Sequence, residues 1–117
     1  MNLRPETKTE LIRRLQDPKT KLVAGTMRHG DCFCLVGLIA DIVDPTRWTL
    51  RYPDLDFSPY DWFWSEYSKS DLYSGIPEES LSSQDIWKIM SFSDRTVDHY
   101  AGDEARALLE AWVVENL

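Results

Sequence analysis

Gly30-Asp31-Cys32-Phe33-Cys34-Leu35-Val36-Gly37-Leu38-Ile39-Ala40-Asp41 is the stretch on which the fold turns. From Cys34 onward Leu35, Leu38, Ile39 and Ile42 recur at i, i+3, i+4 and i+7, the period of a helix. Val36, Ala40 and Val43 widen the apolar face around most of the circumference, so residues 34–43 read as the buried central helix. Asp31 stands where an N-cap would, and Asp44-Pro45 stops the run. Gly37 in mid-helix costs about 1 kcal/mol against alanine, which points to another element passing close by.

Outward from this helix, weaker signals place the other elements. Thr7 and Glu10 have capping-box spacing ahead of Leu11, Ile12 and Leu15, and Asp17-Pro18 closes a short amphipathic helix. Residues 21–27 read as a strand followed by a turn at Arg28-His29-Gly30-Asp31, and residues 48–52 as a second strand stopped by Pro53. Ser82 or Ser83 caps a helix carrying Ile86, Ile89 and Met90, with residues 91–102 as a connection. A last helix starts near Asp103, buries Ala105, Leu108, Leu109, Trp112 and Val113, and closes on Leu117. The sum is one domain over residues 1–117 of α+β class, mostly helical with a two- or three-stranded sheet.

The net charge of −7 is divided unevenly. Residues 1–28 hold seven Lys/Arg against three Asp/Glu, and the remainder six against seventeen. So acidic a surface repels a nucleic-acid backbone, and direct nucleic-acid binding is not expected. No apolar run approaches the roughly 18 residues of a membrane span, and the first residues lack a signal-peptide core. With two cysteines one residue apart, a relaxed disulfide between them is unsuited, and the expectation is a cytoplasmic protein with free thiols.

Cys32 and Cys34, with His29 just before them and His99 far downstream, admit three readings. A thiol at a helix start sees the positive end of the dipole and could serve as a nucleophile. His29, Cys32, Cys34 and His99 together match the ligand count of tetrahedral zinc, but without the paired C-x-x-C spacing of reliable sites. Or both thiols are small apolar groups packed at the buried helix, which is the usual state of free cysteine. Neither histidine is followed two residues on by Ser or Thr, and no phosphate loop or nucleophile elbow is present. No cofactor and no metal are expected.

A different kind of signal lies in residues 54–73. Phe57, Tyr60, Trp62, Phe63, Trp64, Tyr67 and Tyr73 are interleaved with Asp54, Asp56, Asp61, Glu66 and Asp71, with no lasting period. Long irregular segments are uncommon in small domains unless functional, and Trp and Tyr are typical interface anchors. Tyr60, Trp62 and Trp64 are the candidate anchors, with Asp56, Asp61 and Glu66 steering a basic partner and Tyr67 a further binding residue. The opposing reading has the same rings filling the core.

Two resemblances bear on these stretches. Asp31-Cys32 ahead of an apolar helix resembles the nucleophile segment of NlpC/P60-type cysteine peptidases, departing from it at Phe33-Cys34. Residues 33–41 resemble the cysteine–leucine–glycine helix of short, largely uncharacterised phage and prophage proteins. Cys34 and Gly37 match that family's cysteine and glycine, Phe92-Ser93-Asp94 its second motif, and residues 103–117 its closing helix. Val36, Phe92 and Ser93 differ from the family pattern, and the aromatic stretch is unusual for it. This resemblance implies a viral or mobile-element origin and brings no activity with it. The leading expectation is therefore a small acidic accessory protein that binds and inhibits a basic host protein. Behind it stand a small-molecule or nucleotide-binding protein, with Arg28, Arg47 or Arg51 holding an anion, and then a cysteine hydrolase.

Overall fold

The computed structural model describes residues 1–25, 27–45 and 76–117. These residues form α1 (Pro5–Gln16), β1 (Lys21–Leu22), β2 (Arg28–His29), β3 (Cys32–Phe33), α2 (Leu35–Val43), a 3-10 turn (Pro77–Glu79), α3 (Ser83–His99) and α4 (Gly102–Asn116). The class is α+β, as the sequence indicates. The strand expected at residues 48–52 lies outside the described residues.

The helices make a closed ring of contacts, in which α1 packs on α2 and α4, and α3 on the same two. Inside the ring sit Leu11, Leu15, Leu35, Leu38, Ile39, Ile86, Ile89, Leu109 and Val113, each almost fully buried. Each such side chain contributes about 2 kcal/mol through loss of apolar surface to water. The helix centred on residues 34–43 is the most enclosed, as its all-round apolar pattern requires: Leu35 to Ala40 are buried without a break.

The strands depart from expectation. Arg28-His29 is not a turn but a strand, antiparallel to β3, and the turn is only Gly30-Asp31. Gly30 takes φ +62°, the left-handed backbone that a two-residue hairpin turn asks of its first position. β1 joins the other side of β3 in parallel, giving the order β1-β3-β2. Because this hairpin consumes residues 28–33, Asp31 cannot cap α2. Cys34 does so instead, its Sγ accepting the Gly37 N–H at 3.4 Å. Asp31 pairs with Lys21 at 3.2 Å.

Gly37 is required by the same construction. The carbonyl of Met27, which accepts from Cys34 N–H at 3.0 Å, crosses α2 so closely that any Cβ at position 37 would overlap it. The Leu35 N–H, an orphan of the first helical turn, donates to the Ser93 hydroxyl of α3 at 3.0 Å.

α1 begins two residues before Thr7, with Pro5 in its first turn, so Thr7 is not its cap. The Thr7 hydroxyl donates to Glu79 at 3.0 Å. α3 carries the Ser82–Asp85 capping box and continues to His99, overriding the expected connection from residue 91. In α4 Ala105, Leu109 and Val113 are buried as expected, as is Leu117 just after it, but Leu108 is 38% exposed. Trp112 is half-buried and stacks on Phe92 of α3, ring centroids 4.9 Å apart.

Candidate functional site

The hairpin brings one pair of the sequence candidates together. His29 and Cys32 are direct partners across the β2–β3 ladder, so the imidazole and thiol leave the same face of the sheet. The thiol is nevertheless not activated: partial burial and the adjacent Asp31 carboxylate push its pKa up, outweighing the opposing pull of Lys21. Cys34 is fully enclosed, and burial pushes its thiol up to about 12. The sulfur acts as a helix cap and a core atom. A nucleophile needs the opposite perturbation, a depressed pKa at an accessible sulfur.

His99 ends α3, beside Phe92, Arg95 and Tyr100. His29, Cys32, Cys34 and His99 are not gathered into a four-ligand group. Among the described residues no three His, Cys, Asp or Glu side chains are grouped to hold a metal ion.

Asp56, Tyr60, Asp61, Trp62, Trp64, Glu66 and Tyr67 lie outside the described residues, as do Arg47 and Arg51. What is described is the framework on either side of them. Before the stretch, Asp41 of α2 accepts from Arg14 of α1 at 2.7 Å. After it, Ile76 and Leu81 pair backbone to backbone around a tight turn in which Ser80 has φ +55°. Both of those apolar side chains are buried. In the same turn the Glu79 carboxylate accepts from the Arg4 N–H at 3.0 Å, the Arg4 Nε at 2.7 Å and the Thr7 hydroxyl. Both flanks are thus tied to α1, at residues ten apart, or about 15 Å along a helix axis.

A feature that sequence reasoning missed lies at the corner between α3 and α4. A cleft of about 420 Å³ opens there against Pro18–Leu22, lined by Thr20, Lys21, Val97, Tyr100, Gly102 and Arg106 among others. Arg106 is about nine-tenths buried. Nothing in the helical period of α4 sets Arg106 apart from a solvent-facing arginine, because its burial depends on the chain segment before β1.

Among the described residues no helix is long and apolar enough to cross a membrane. Comparison with known proteins returns no matching family model, curated protein or solved structure.

Proposed function

We propose that this chain is a small acidic accessory protein of phage type that binds and inhibits a host protein through residues 54–73. The observation that carries the reading is the concentration of seven aromatic side chains and five carboxylates in those twenty residues. Rings supply contact area at low entropic cost, and interleaved carboxylates orient a partner with a basic surface. The attachment of both flanks to α1 supports it further, because a rigid base lowers the ordering cost of binding. Both thiols are pushed to higher pKa, the opposite of what the cysteine-hydrolase alternative asks of its nucleophile. Should the target be a nuclease or another nucleic-acid enzyme, Asp56, Asp61 and Glu66 would occupy the place of phosphates.

The test pairs the wild type with Trp62→Ala/Trp64→Ala as baits in lysate of a bacterial host. The captured protein is then purified and its own activity assayed against both baits. A target bound and inhibited by the wild type alone is the expected result. Equal capture by both, or capture without inhibition, sinks the reading.

A further inference from the structure

We infer that the outer face of the α3–α4 helix pair is a dimerisation surface. Its occupant is the same face of a second copy of this chain, related by a two-fold axis running along the helices. The inference does not depend on the partner-binding role of residues 54–73.

Aromatic packing sets the geometry of this face. Phe92 of α3 stacks on Trp112 of α4, and the helices join through residues 100–101, so they run antiparallel. The stack fixes which residues stand level. One turn toward the joining corner, Leu108 of α4 comes level with Thr96 of α3; one turn the other way, Glu115 comes level with Lys88. Helical spacing keeps Lys88, Phe92 and Arg95 on one side of α3, and Leu108, Trp112 and Glu115 on one side of α4. Phe92 and Trp112 are half-buried, Leu108 is 38% exposed and Tyr100, at the corner, 45%. The seam between the helices is thus apolar, aromatic and open to the outside, the composition of an interface centre.

Charge selects the occupant. Beside the seam α3 carries Lys88 and Arg95 and α4 carries Glu104 and Glu115, all four exposed. Among the described residues none of the four forms a salt bridge. Asp98, also on α3, lies about 120° round that helix from Phe92, on its far flank. One side of the seam is therefore cationic and the other anionic. A two-fold axis along the helices lays α3 of each copy over α4 of the other, so that cations meet carboxylates and Lys88 stands level with Glu115 of the second copy. An axis across the helices would lay α3 on α3 and set cation against cation.

Shape follows the same axis. Phe92, Arg95, Thr96, His99 and Tyr100 surround a hollow of about 210 Å³ in this face. Leu108 of the second copy arrives level with Thr96 and on the opposite side of the axis, over that hollow. The area available sets the strength. At 1.5 Å per residue α3 and α4 are about 25 Å and 22 Å long, and two helices packed about 10 Å apart present roughly 500 Å² per copy. Twice that area falls at the lower margin of specific interfaces, so the dimer is a weak one that forms at micromolar concentrations and above.

The experiment is sedimentation equilibrium of the full chain from about 10 µM to about 1 mM, the span in which so small an interface dissociates. Salt is held at about 0.15 M, where the mutual repulsion of two chains of net charge −7 is largely screened. The wild type should pass from monomer to dimer. Lys88→Glu and Glu115→Lys, each alone, should weaken association about ten-fold, because the two-fold axis repeats each reversal. An equimolar mixture of these two variants should regain the wild-type association, since every reversed charge then faces its opposite. Leu108→Gln should weaken association as much as either reversal. All three side chains are exposed, so unchanged circular dichroism certifies the fold. A chain that stays monomeric throughout, association that the reversals leave unchanged, a mixture that does not recover, or growth beyond a dimer overturns the proposal.

Discussion

The Glu79 carboxylate has no exposed side-chain surface, and it rests on the half-exposed guanidinium of Arg4 at 2.7 Å. Seventy-five residues separate the two in the chain. Glu79 also takes the Arg4 N–H and the Thr7 hydroxyl, so one carboxylate joins the start of α1 to the turn at residues 76–81. Glu79→Ala leaves those donors without their acceptor and should cost about 2 kcal/mol in a urea melt. Arg4→Ala should cost less, because the backbone N–H and Thr7 still serve the carboxylate. An unchanged midpoint for Glu79→Ala would mean the latch contributes nothing.

Gly37→Ala tests the crossing over α2. Helix propensity alone favours alanine by about 1 kcal/mol. The Met27 carbonyl occupies the space of the new methyl, however, and backbone cannot rotate away as a side chain can. A net loss of about 3 kcal/mol is expected, the upper end of overpacking. A stabilised variant would contradict the close crossing.

Thiol alkylation should separate the cysteines. At pH 8 iodoacetamide should modify Cys32 more slowly than a free thiol, since its pKa is raised, and leave Cys34 untouched until denaturant is added. Rapid native-state labelling of either residue would restore the nucleophile reading.

Acid sensitivity should arise in part from Glu10. Hydrogen bonds from Arg13 and Arg14 lower its carboxyl from an ordinary 4.5 to about 2. The folded form thus holds its proton less tightly than the unfolded chain does. The stability that follows is complete above pH 4.5 and is lost as pH falls toward 2. Compared by urea midpoint at low salt, Glu10→Gln should be the less stable at pH 7, with the gap closing by pH 2. Because the site is solvent-facing, added salt should shrink the difference. A gap independent of pH would rule out this origin.

Leu108 and Leu109 offer a direct contrast on one helix. Leu109 is fully buried and Leu108 is 38% exposed. Leu109→Ala should cost about 3 kcal/mol, and Leu108→Ala less than about 0.5 kcal/mol. Equal losses would place Leu108 inside the core.

That contrast also shows what periodicity can and cannot read. Apolar spacing located α1, α2 and α4 and the class of the fold, because each helix has a stripe facing the ring. It could not separate Leu108 from Leu109, since both lie within a wide stripe and the choice belongs to how the neighbouring helices pack on α4. It stopped α3 short because residues buried in its second half include Ser93 and Thr96, which carry no hydrophobic signal. Two-residue strands have no period to detect, so Arg28-His29 passed for a turn and Asp31 for a cap. Cys34 as cap depends on a hairpin that only pairing reveals. At the site level, the spacing of residues 29–34 brought out the His29–Cys32 neighbourhood but not the charge state of its thiol. The Arg106 cleft had no local signature at all.

α2 has nine residues, fewer than the roughly twelve that an isolated helix needs to be even marginal in water. Its first turn is finished by groups from elsewhere: the Ser93 hydroxyl fifty-eight residues on takes the Leu35 N–H, and the Met27 carbonyl holds the Cys34 N–H. The central helix is therefore a product of assembly, not a seed for it. A peptide of residues 30–45 should be coil by circular dichroism, and the folded chain should gain α2 only as α3 docks. Loss of α3 docking should therefore take α2 with it, so that helix signal and Trp112 fluorescence fall together in a urea melt.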